Sequence, residues 1–120
     1  MKKKKTWHGT QMDDFFFANT KKTNLFGYNG NDELHASSAN TKINGGAGDD
    51  RLFGGRGNDK IIGGNGNDSI TSGAGNDIVV AGDGNDFVDG GLGNDGIDGG
   101  TGNDILDGQG GMDLLRGGLG

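Results

Sequence analysis

An apolar residue recurs at every ninth position of this chain, and this period constrains the fold more than any other feature. The members of the series are Trp7, Phe16, Leu25, Leu34, Ile43, Leu52, Ile61, Ile70, Val79, Val88, Ile97, Leu106 and Leu115. All are apolar although only 29% of the chain is hydrophobic. No insertion breaks the phase from Gly27 to the end. The period predicts a stack of short repeats, each contributing one inward-facing side chain to a shared core.

Each repeat divides into a six-residue turn and a three-residue segment with the apolar residue at its centre. From Gly45 the blocks read GGAGDDRLF, GGRGNDKII, GGNGNDSIT, SGAGNDIVV, AGDGNDFVD, GGLGNDGID, GGTGNDILD and GQGGMDLLR. Glycine at positions one, two and four allows positive φ and close backbone approach. Asparagine at position five is expected to use its tolerance of the left-handed region. With 29 glycines, a helix is disfavoured because each interior glycine costs roughly 1 kcal/mol relative to alanine.

Two turns and two short strands would complete one coil of eighteen residues. We therefore predict an all-β fold, a right-handed parallel β-roll (a β-solenoid) with two short strands per 18-residue coil. Successive blocks then fall on opposite sheets. One core ladder holds Leu34, Leu52, Ile70, Val88 and Leu106, and the facing ladder holds Ile43, Ile61, Val79, Ile97 and Leu115.

The same stacking places the position-six aspartates in two columns. One column holds Asp32, Asp50, Asp68, Asp86 and Asp104, and the other holds Asp59, Asp77, Asp95 and Asp113. Neighbours about 4.8 Å apart would repel by roughly 1–3.5 kcal/mol. Residues 61–120 contain ten aspartates and a single basic residue, Arg116. The columns therefore require cations between their carboxylates.

The ligand atoms that the chain can offer indicate which metal ion would bind. Carboxylates and backbone carbonyls are hard oxygen ligands, which calcium accepts in sets of six to eight with flexible geometry, whereas magnesium demands a tight octahedron. Zinc and copper favour histidine or cysteine, and the chain has no cysteine and only His8 and His35, which we expect at the surface. Four aspartate pairs in one column and three in the other allow up to about seven Ca²⁺ ions. Thr41 stands at position six of its block in place of an aspartate. We therefore expect the pair that includes Thr41 to hold no ion.

The blocks resemble the RTX, or hemolysin-type, calcium-binding repeat, written GGxGxDxUx with an apolar residue at U. The resemblance covers residues 27–120, and six in-phase GND turns between Gly45 and Asp107 make it specific. It implies metal ligation by the nine aspartates above and by carbonyls of positions one to four. The carbonyl ligands singled out are Gly46, Gly48, Gly55, Gly57, Gly64, Gly66, Gly73, Gly75, Gly82, Gly84, Gly91, Gly93, Gly100 and Gly102. Departures are Ser72 and Ala81 at position one, and Tyr28 and Gln109 at position two.

The domain organisation follows from where the repeat weakens. Residues 1–26 are expected to form an amino-terminal tail and degenerate, calcium-free first coils, in which Trp7 and Phe15 to Phe17 cap the open end of the roll. Lys2 to Lys5 are expected to be a solvated tail. Residues 27–120 are the repeat roll, cut within its last unit, so further domains of a parent protein are expected.

The resemblance implies a calcium-dependent folding and secretion module of an exported bacterial protein. No amino-terminal signal peptide is recognisable, and the resemblance implies an extracellular location reached by a type I-like route. The alternatives are a structural, adhesive or ice-binding-like surface module, or a calcium-stabilised appendage of a secreted hydrolase or toxin. No catalytic constellation is recognisable, so we do not expect an enzyme. The acidic second half disfavours a nucleic-acid partner, and no apolar stretch is long enough to span a membrane.

Overall fold

The computed structural model describes residues 5–18 and 23–120, which form thirteen β-strands in two parallel sheets. The seven-stranded sheet holds β1 (Lys5–His8), β3 (Thr23–Phe26), β5 (Lys42–Ala47), β7 (Lys60–Asn65), β9 (Ile78–Asp83), β11 (Gly96–Thr101) and β13 (Leu114–Arg116), in that order. The six-stranded sheet holds β2 (Phe15–Phe17), β4 (Glu33–His35), β6 (Arg51–Phe53), β8 (Ser69–Thr71), β10 (Phe87–Asp89) and β12 (Ile105–Asp107). Consecutive strands thus alternate between sheets, as the period predicts.

Each strand pairs in parallel with the strand one coil further along the chain. Leu34 pairs with Leu52 in one sheet, and Ile61 pairs with Val79 in the other. The offset is eighteen residues in both sheets, so the predicted coil length and the all-β solenoid fold are confirmed. The described part of the chain contains no helix of the length and apolarity that a membrane span requires.

The prediction of three-residue strands is correct for the six-stranded sheet and for β13, and wrong for the other six strands. Strands β1 and β3 contain four residues each. Strands β5, β7, β9 and β11 each contain six residues. They continue into the first three turn positions, where Gly46 pairs with Gly64 and Ala47 pairs with Asn65. Glycine at position two allows the successive backbones to approach closely at this point.

The core is a single layer of position-eight side chains between the two sheets. Leu25, Leu34, Ile43, Leu52, Ile61, Ile70, Val79, Val88 and Ile97 are buried. Leu106 is half-buried, and Leu115 is 45% exposed at the carboxyl-terminal end. Such a thin core supplies only one large apolar side chain per nine residues.

Aromatic residues cover the amino-terminal end of this core only in part. The rings of Trp7 and Phe16 stack with centroids 4.5 Å apart and pack against the core cluster, which fits a capping role. Phe15 and Phe17 are 67% and 62% exposed because neighbours along a strand point to opposite faces. The expectation that they cap the end is wrong, since Phe17 instead stacks on His35 at the outer face, with ring centroids 5.0 Å apart.

Candidate metal centre

The position-six aspartates point into the roll at the ends of the two sheets. Seven of them are buried, namely Asp32, Asp50, Asp59, Asp68, Asp77, Asp86 and Asp95. Asp104 and Asp113, nearer the carboxyl-terminal end, are half-buried. The sequence therefore placed the two columns correctly. The degree of burial, which it did not indicate, makes these carboxylates costly to ionise without a partner.

One oxygen of each carboxylate is occupied by a hydrogen bond from the preceding coil. The Asp32 N–H donates to Asp50 Oδ1 at 2.8 Å, and the Asp59 N–H donates to Asp77 Oδ1 at 2.7 Å. The same bond recurs down both columns with an offset of eighteen residues. Each aspartate therefore satisfies the backbone of its predecessor and presents only Oδ2 to a ligand.

The Oδ2 atoms have no hydrogen-bond partner although they are buried. Among the described residues these atoms belong to Asp32, Asp50, Asp68, Asp77, Asp86, Asp95 and Asp104. Leaving a buried acceptor unpaired costs about 1–3 kcal/mol, and more when it is charged. A column of such atoms is what a set of bound cations would satisfy.

Backbone oxygen atoms lie close to these unpaired carboxylate atoms. A Cβ atom placed on Gly45 would lie 2.4 Å from Asp50 Oδ2 and 2.8 Å from the Gly63 carbonyl oxygen. A Cβ on Gly27 would similarly meet Asp32 Oδ2 at 2.4 Å and the Gly45 carbonyl oxygen at 2.6 Å. Glycine at position one leaves this space at Gly27 and Gly45, and neither residue has the positive φ that the sequence suggested. The residues present thus fit a calcium ion, because the cradle consists of hard oxygen donors.

The glycine carbonyls singled out from the sequence have different surroundings. At position two, the Gly55 carbonyl accepts the Ala74 N–H at 2.9 Å, so it already belongs to the β-ladder. At position four, the Gly48 carbonyl oxygen faces the Cα of the next coil, 2.2 Å from a Cβ placed on Gly66. All fourteen lie in the turns beside the aspartate columns, and their role as ligands stays a prediction.

Side chains alone do not complete a metal site in this roll. Within residues 5–18 and 23–120, no three histidine, aspartate or glutamate side chains converge on one point. His35 instead contacts Glu33 Oε1 at 2.8 Å and stacks on Phe53, while His8 hydrogen-bonds the Tyr28 hydroxyl. Any ion in the columns must therefore draw most of its ligands from the backbone of the glycine-rich turns.

A second side-chain ladder, at position five, was missed by the sequence reasoning. The Asn76 N–H donates to Asn58 Oδ1 at 2.8 Å, and the Asn94 N–H donates to Asn76 Oδ1 at 2.9 Å. Among the described residues, only Tyr28 and Gln109 have positive φ without being glycine. The expected left-handed conformation of these asparagines is therefore wrong. The signal was present in the recurrent GND turns, because a short polar side chain that recurs once per coil can accept the same backbone N–H in each coil.

Burial perturbs the ionisation of the aspartates along both columns. Desolvation raises the pKa of Asp50 and Asp68 to about 7 and that of Asp32 and Asp77 to about 6. The backbone hydrogen bond from the preceding coil opposes this increase, and neighbouring carboxylates add to it. The pKa of Asp86 is also raised by burial. Positive charge between the coils would favour the ionised form of each carboxylate and reverse these shifts.

Two departures from the repeat place hydroxyl groups near a carboxylate. The Ser72 hydroxyl donates to the Gly90 carbonyl at 2.7 Å, and the polar Ser72 side chain near the Asp77 carboxylate lowers the pKa of Asp77 against the larger effect of burial. In the amino-terminal coil, Thr10 stands at position two and donates its N–H to Asp14 Oδ2 at 2.6 Å. The Thr10 hydroxyl contacts Asp14 Oδ1 at 3.1 Å. In both coils, side chains that can donate hydrogen bonds thus occupy part of the space that glycine leaves open in other repeats.

Comparison with known proteins gives one match. One family profile, described as the RTX calcium-binding nonapeptide repeat (four copies), matches five overlapping segments, residues 8–41, 26–61, 35–70, 62–97 and 89–120. Together these segments cover most of the chain. No curated protein and no solved structure matches it.

Proposed function

The chain belongs to the RTX calcium-binding nonapeptide-repeat family, and we propose that it is a calcium-dependent folding module of an exported bacterial protein. Repeats of this family bind calcium. The observation that carries the proposal is the set of seven buried Oδ2 atoms without a partner, those of Asp32, Asp50, Asp68, Asp77, Asp86, Asp95 and Asp104. These atoms recur at intervals of eighteen residues in each column, so the requirement for positive charge is repeated along the roll.

We place each ion between two turns that lie one coil apart. The first column offers the pairs Asp32/Asp50, Asp50/Asp68, Asp68/Asp86 and Asp86/Asp104, and the second offers Asp59/Asp77, Asp77/Asp95 and Asp95/Asp113, which allows up to about seven ions. Support comes from the unpaired Oδ2 atoms and from the position-one carbonyls beside them. The pair that would include Thr41 stays empty, since its hydroxyl hydrogen-bonds the Ala39 carbonyl at 2.9 Å.

The residues of the roll explain why folding would depend on calcium. The carboxylate columns repel one another, and ordering each residue costs about 1–2 kcal/mol of backbone entropy. The single core layer contributes too little apolar burial to offset both. When bound, Ca²⁺ supplies the charge that neutralises the columns, so that its binding free energy becomes folding free energy.

This dependence suggests how the module would serve export. Extracellular calcium modules typically bind at about 10⁻⁴–10⁻³ M, and at lower calcium concentrations the chain stays unfolded. An unfolded chain can pass through a secretion channel, as in type I-like export, and the roll then forms outside the cell. The activity of the exported protein would then belong to further domains of a parent protein.

Far-ultraviolet circular dichroism of the full chain against calcium concentration tests this proposal. We expect a disordered spectrum in excess chelator and a β-sheet spectrum after calcium is added. Magnesium at the same concentration is the matched control, because its octahedral geometry fits the turn carbonyls poorly. A β-sheet spectrum already complete in chelator would overturn the proposal.

A further inference from the structure

A groove of about 400 Å³ opens on the outer face of the seven-stranded sheet, near the amino-terminal coils. Its walls include the aromatic rings of Phe26 and Tyr28 and the amides of Gln11, Asn29 and Asn44. We propose that this groove, called the Tyr28 groove below, binds the ring of a neutral saccharide. The proposal goes beyond calcium binding, since the aspartate columns point into the roll and Tyr28 points out of it.

Tyr28 departs from the repeat, and its backbone adopts a strained conformation. It stands at position two, where the neighbouring coil has Gly46, and it has a φ of 76°. A residue with a side chain adopts this left-handed conformation only at an energetic cost, because its Cβ comes too close to the carbonyl oxygen that follows. Strained residues of this kind cluster at binding sites. Here the strained conformation presents an aromatic ring that is 41% exposed.

The ring of Tyr28 is held in place by two aromatic neighbours. Its hydroxyl hydrogen-bonds His8 Nδ1, and the two rings lie 5.9 Å apart with planes inclined by 17°. His8 in turn stacks on Phe26 with centroids 5.6 Å apart and planes inclined by 12°. The groove therefore has a preorganised aromatic wall, which lowers the entropic cost of binding.

The floor of the groove leaves room for a ligand, and its polar side chains can form hydrogen bonds with that ligand. Gly46 lies one coil beyond Tyr28, so no side chain fills the space beside the ring. The Asn29 amide donates to Gln11 Oε1, which leaves Gln11 Nε2 to donate and Asn29 Oδ1 to accept. Asn44, half-buried at the end of the groove, adds a third amide.

These groups match the chemistry of a sugar ring. Each sugar hydroxyl both donates and accepts hydrogen bonds, as each amide side chain does. The C–H face of a pyranose presents apolar surface to an aromatic ring. The residues that line the Tyr28 groove carry no charge, which disfavours phosphates, nucleotides and acidic peptides. Its volume lies within the range of about 300–1,000 Å³ common for small-molecule sites.

Binding should be measured on the full chain in excess calcium, with cellobiose, maltose and lactose as probes. We expect at least one of them to give saturation-transfer-difference NMR signals and a calorimetric dissociation constant in the millimolar range. Tyr28→Gly should weaken that binding by about tenfold or more. This variant restores the repeat consensus and relieves the strained φ, so its calcium-induced folding should be intact.

Phe87→Ala is the matched control. Phe87 is an exposed aromatic residue on the other sheet, with 45% of its surface accessible, and its loss should leave sugar binding unchanged. The proposal fails if none of the three disaccharides binds, if Tyr28→Gly binds as well as the original chain, or if glucose 6-phosphate is preferred to neutral sugars. Calcium-induced folding, followed by circular dichroism in the same samples, distinguishes failure of the groove from failure of the calcium sites.

Discussion

Asp68 Oδ1 accepts the backbone N–H of Asp50 at 2.9 Å, while the other oxygen of the same carboxylate has no partner. One side chain therefore fixes the turn of the preceding coil and presents an unpaired oxygen to a proposed metal site. Mutation can separate these two roles, hydrogen bonding and metal binding, because each belongs to a different oxygen atom.

Asp68→Ala should raise the calcium midpoint of folding by about tenfold, equivalent to roughly 1.4 kcal/mol. The substitution removes a proposed ligand from two neighbouring sites and leaves the Asp50 N–H without its acceptor. Asp113→Ala, at the end of its column, should have a smaller effect. Asp68→Asn keeps an acceptor for Asp50 but loses the charge, and its midpoint should still rise. Equal midpoints for all four chains in calcium titrations followed by circular dichroism would refute the assignment.

Gly63→Ala should weaken calcium-induced folding through a steric clash. Its Cβ would lie 2.5 Å from Asp68 Oδ2 and 2.4 Å from the Ala81 carbonyl oxygen, so both oxygen atoms must move. Gly96→Ala is the matched control, because a Cβ there meets nothing within 4 Å and removing a glycine stabilises by about 0.4–1 kcal/mol where the backbone allows it. Urea denaturation in saturating calcium should separate the two variants. Equal losses of unfolding free energy would contradict the clash.

Ser72→Gly should lower the calcium midpoint of folding. The Ser72 hydroxyl donates to the Gly90 carbonyl and interacts with the Asp77 carboxylate, so it competes with a cation for both. Ala81→Gly tests the same position with a methyl group in place of the hydroxyl. If Ser72→Gly instead raises the midpoint while Ala81→Gly lowers it, the hydroxyl assists binding rather than competing with it.

Without calcium, the fold should be favoured by acid. Burial raises the pKa of Asp50 and Asp68 from 3.8 to about 7. A carboxyl group whose pKa is higher in the folded state stabilises that state below its unfolded pKa, and the contribution is lost as the pH rises through the folded value. Calcium-free protein should therefore gain β-sheet signal near pH 4 and lose it by about pH 8. A circular dichroism signal that is constant across this range, or one that increases with pH, would contradict the expectation.

Asn76→Ala should destabilise the calcium-loaded roll by about 1 kcal/mol, the usual contribution of one hydrogen bond. The substitution removes the acceptor of the Asn94 N–H. Asn76→Asp keeps an acceptor atom, as Asp49 does naturally for Asn67, and should cost less. Chemical denaturation gives the two free energies of unfolding. A loss in the aspartate variant as large as that in the alanine variant would indicate a role other than hydrogen bonding.

The sequence predicted what depends on periodicity and left out what depends on contacts between coils. A step of nine places Leu52 in the core and Asp50 in a column regardless of turn geometry, so the architecture followed from spacing. The steric role of Gly45 could not be derived, because it arises from a carbonyl eighteen residues away. The asparagine ladder was missed for the same reason. Local preference suggested positive φ at position five, whereas hydrogen bonding between coils determined the conformation there.

The two ladders of hydrogen bonds run in opposite directions along the roll. The N–H of Asp77 donates to Asp95 in the coil that follows, while the N–H of its neighbour Asn76 donates to Asn58 in the coil before. Among the described coils that carry both residues, an interior coil is thus tied to both neighbours by the same pair of cross-links, and a terminal coil has only one such neighbour. The free energy of unfolding is then approximately a sum over the interfaces between coils, as in a one-dimensional lattice. Unfolding should therefore begin at the terminal coils and proceed inward.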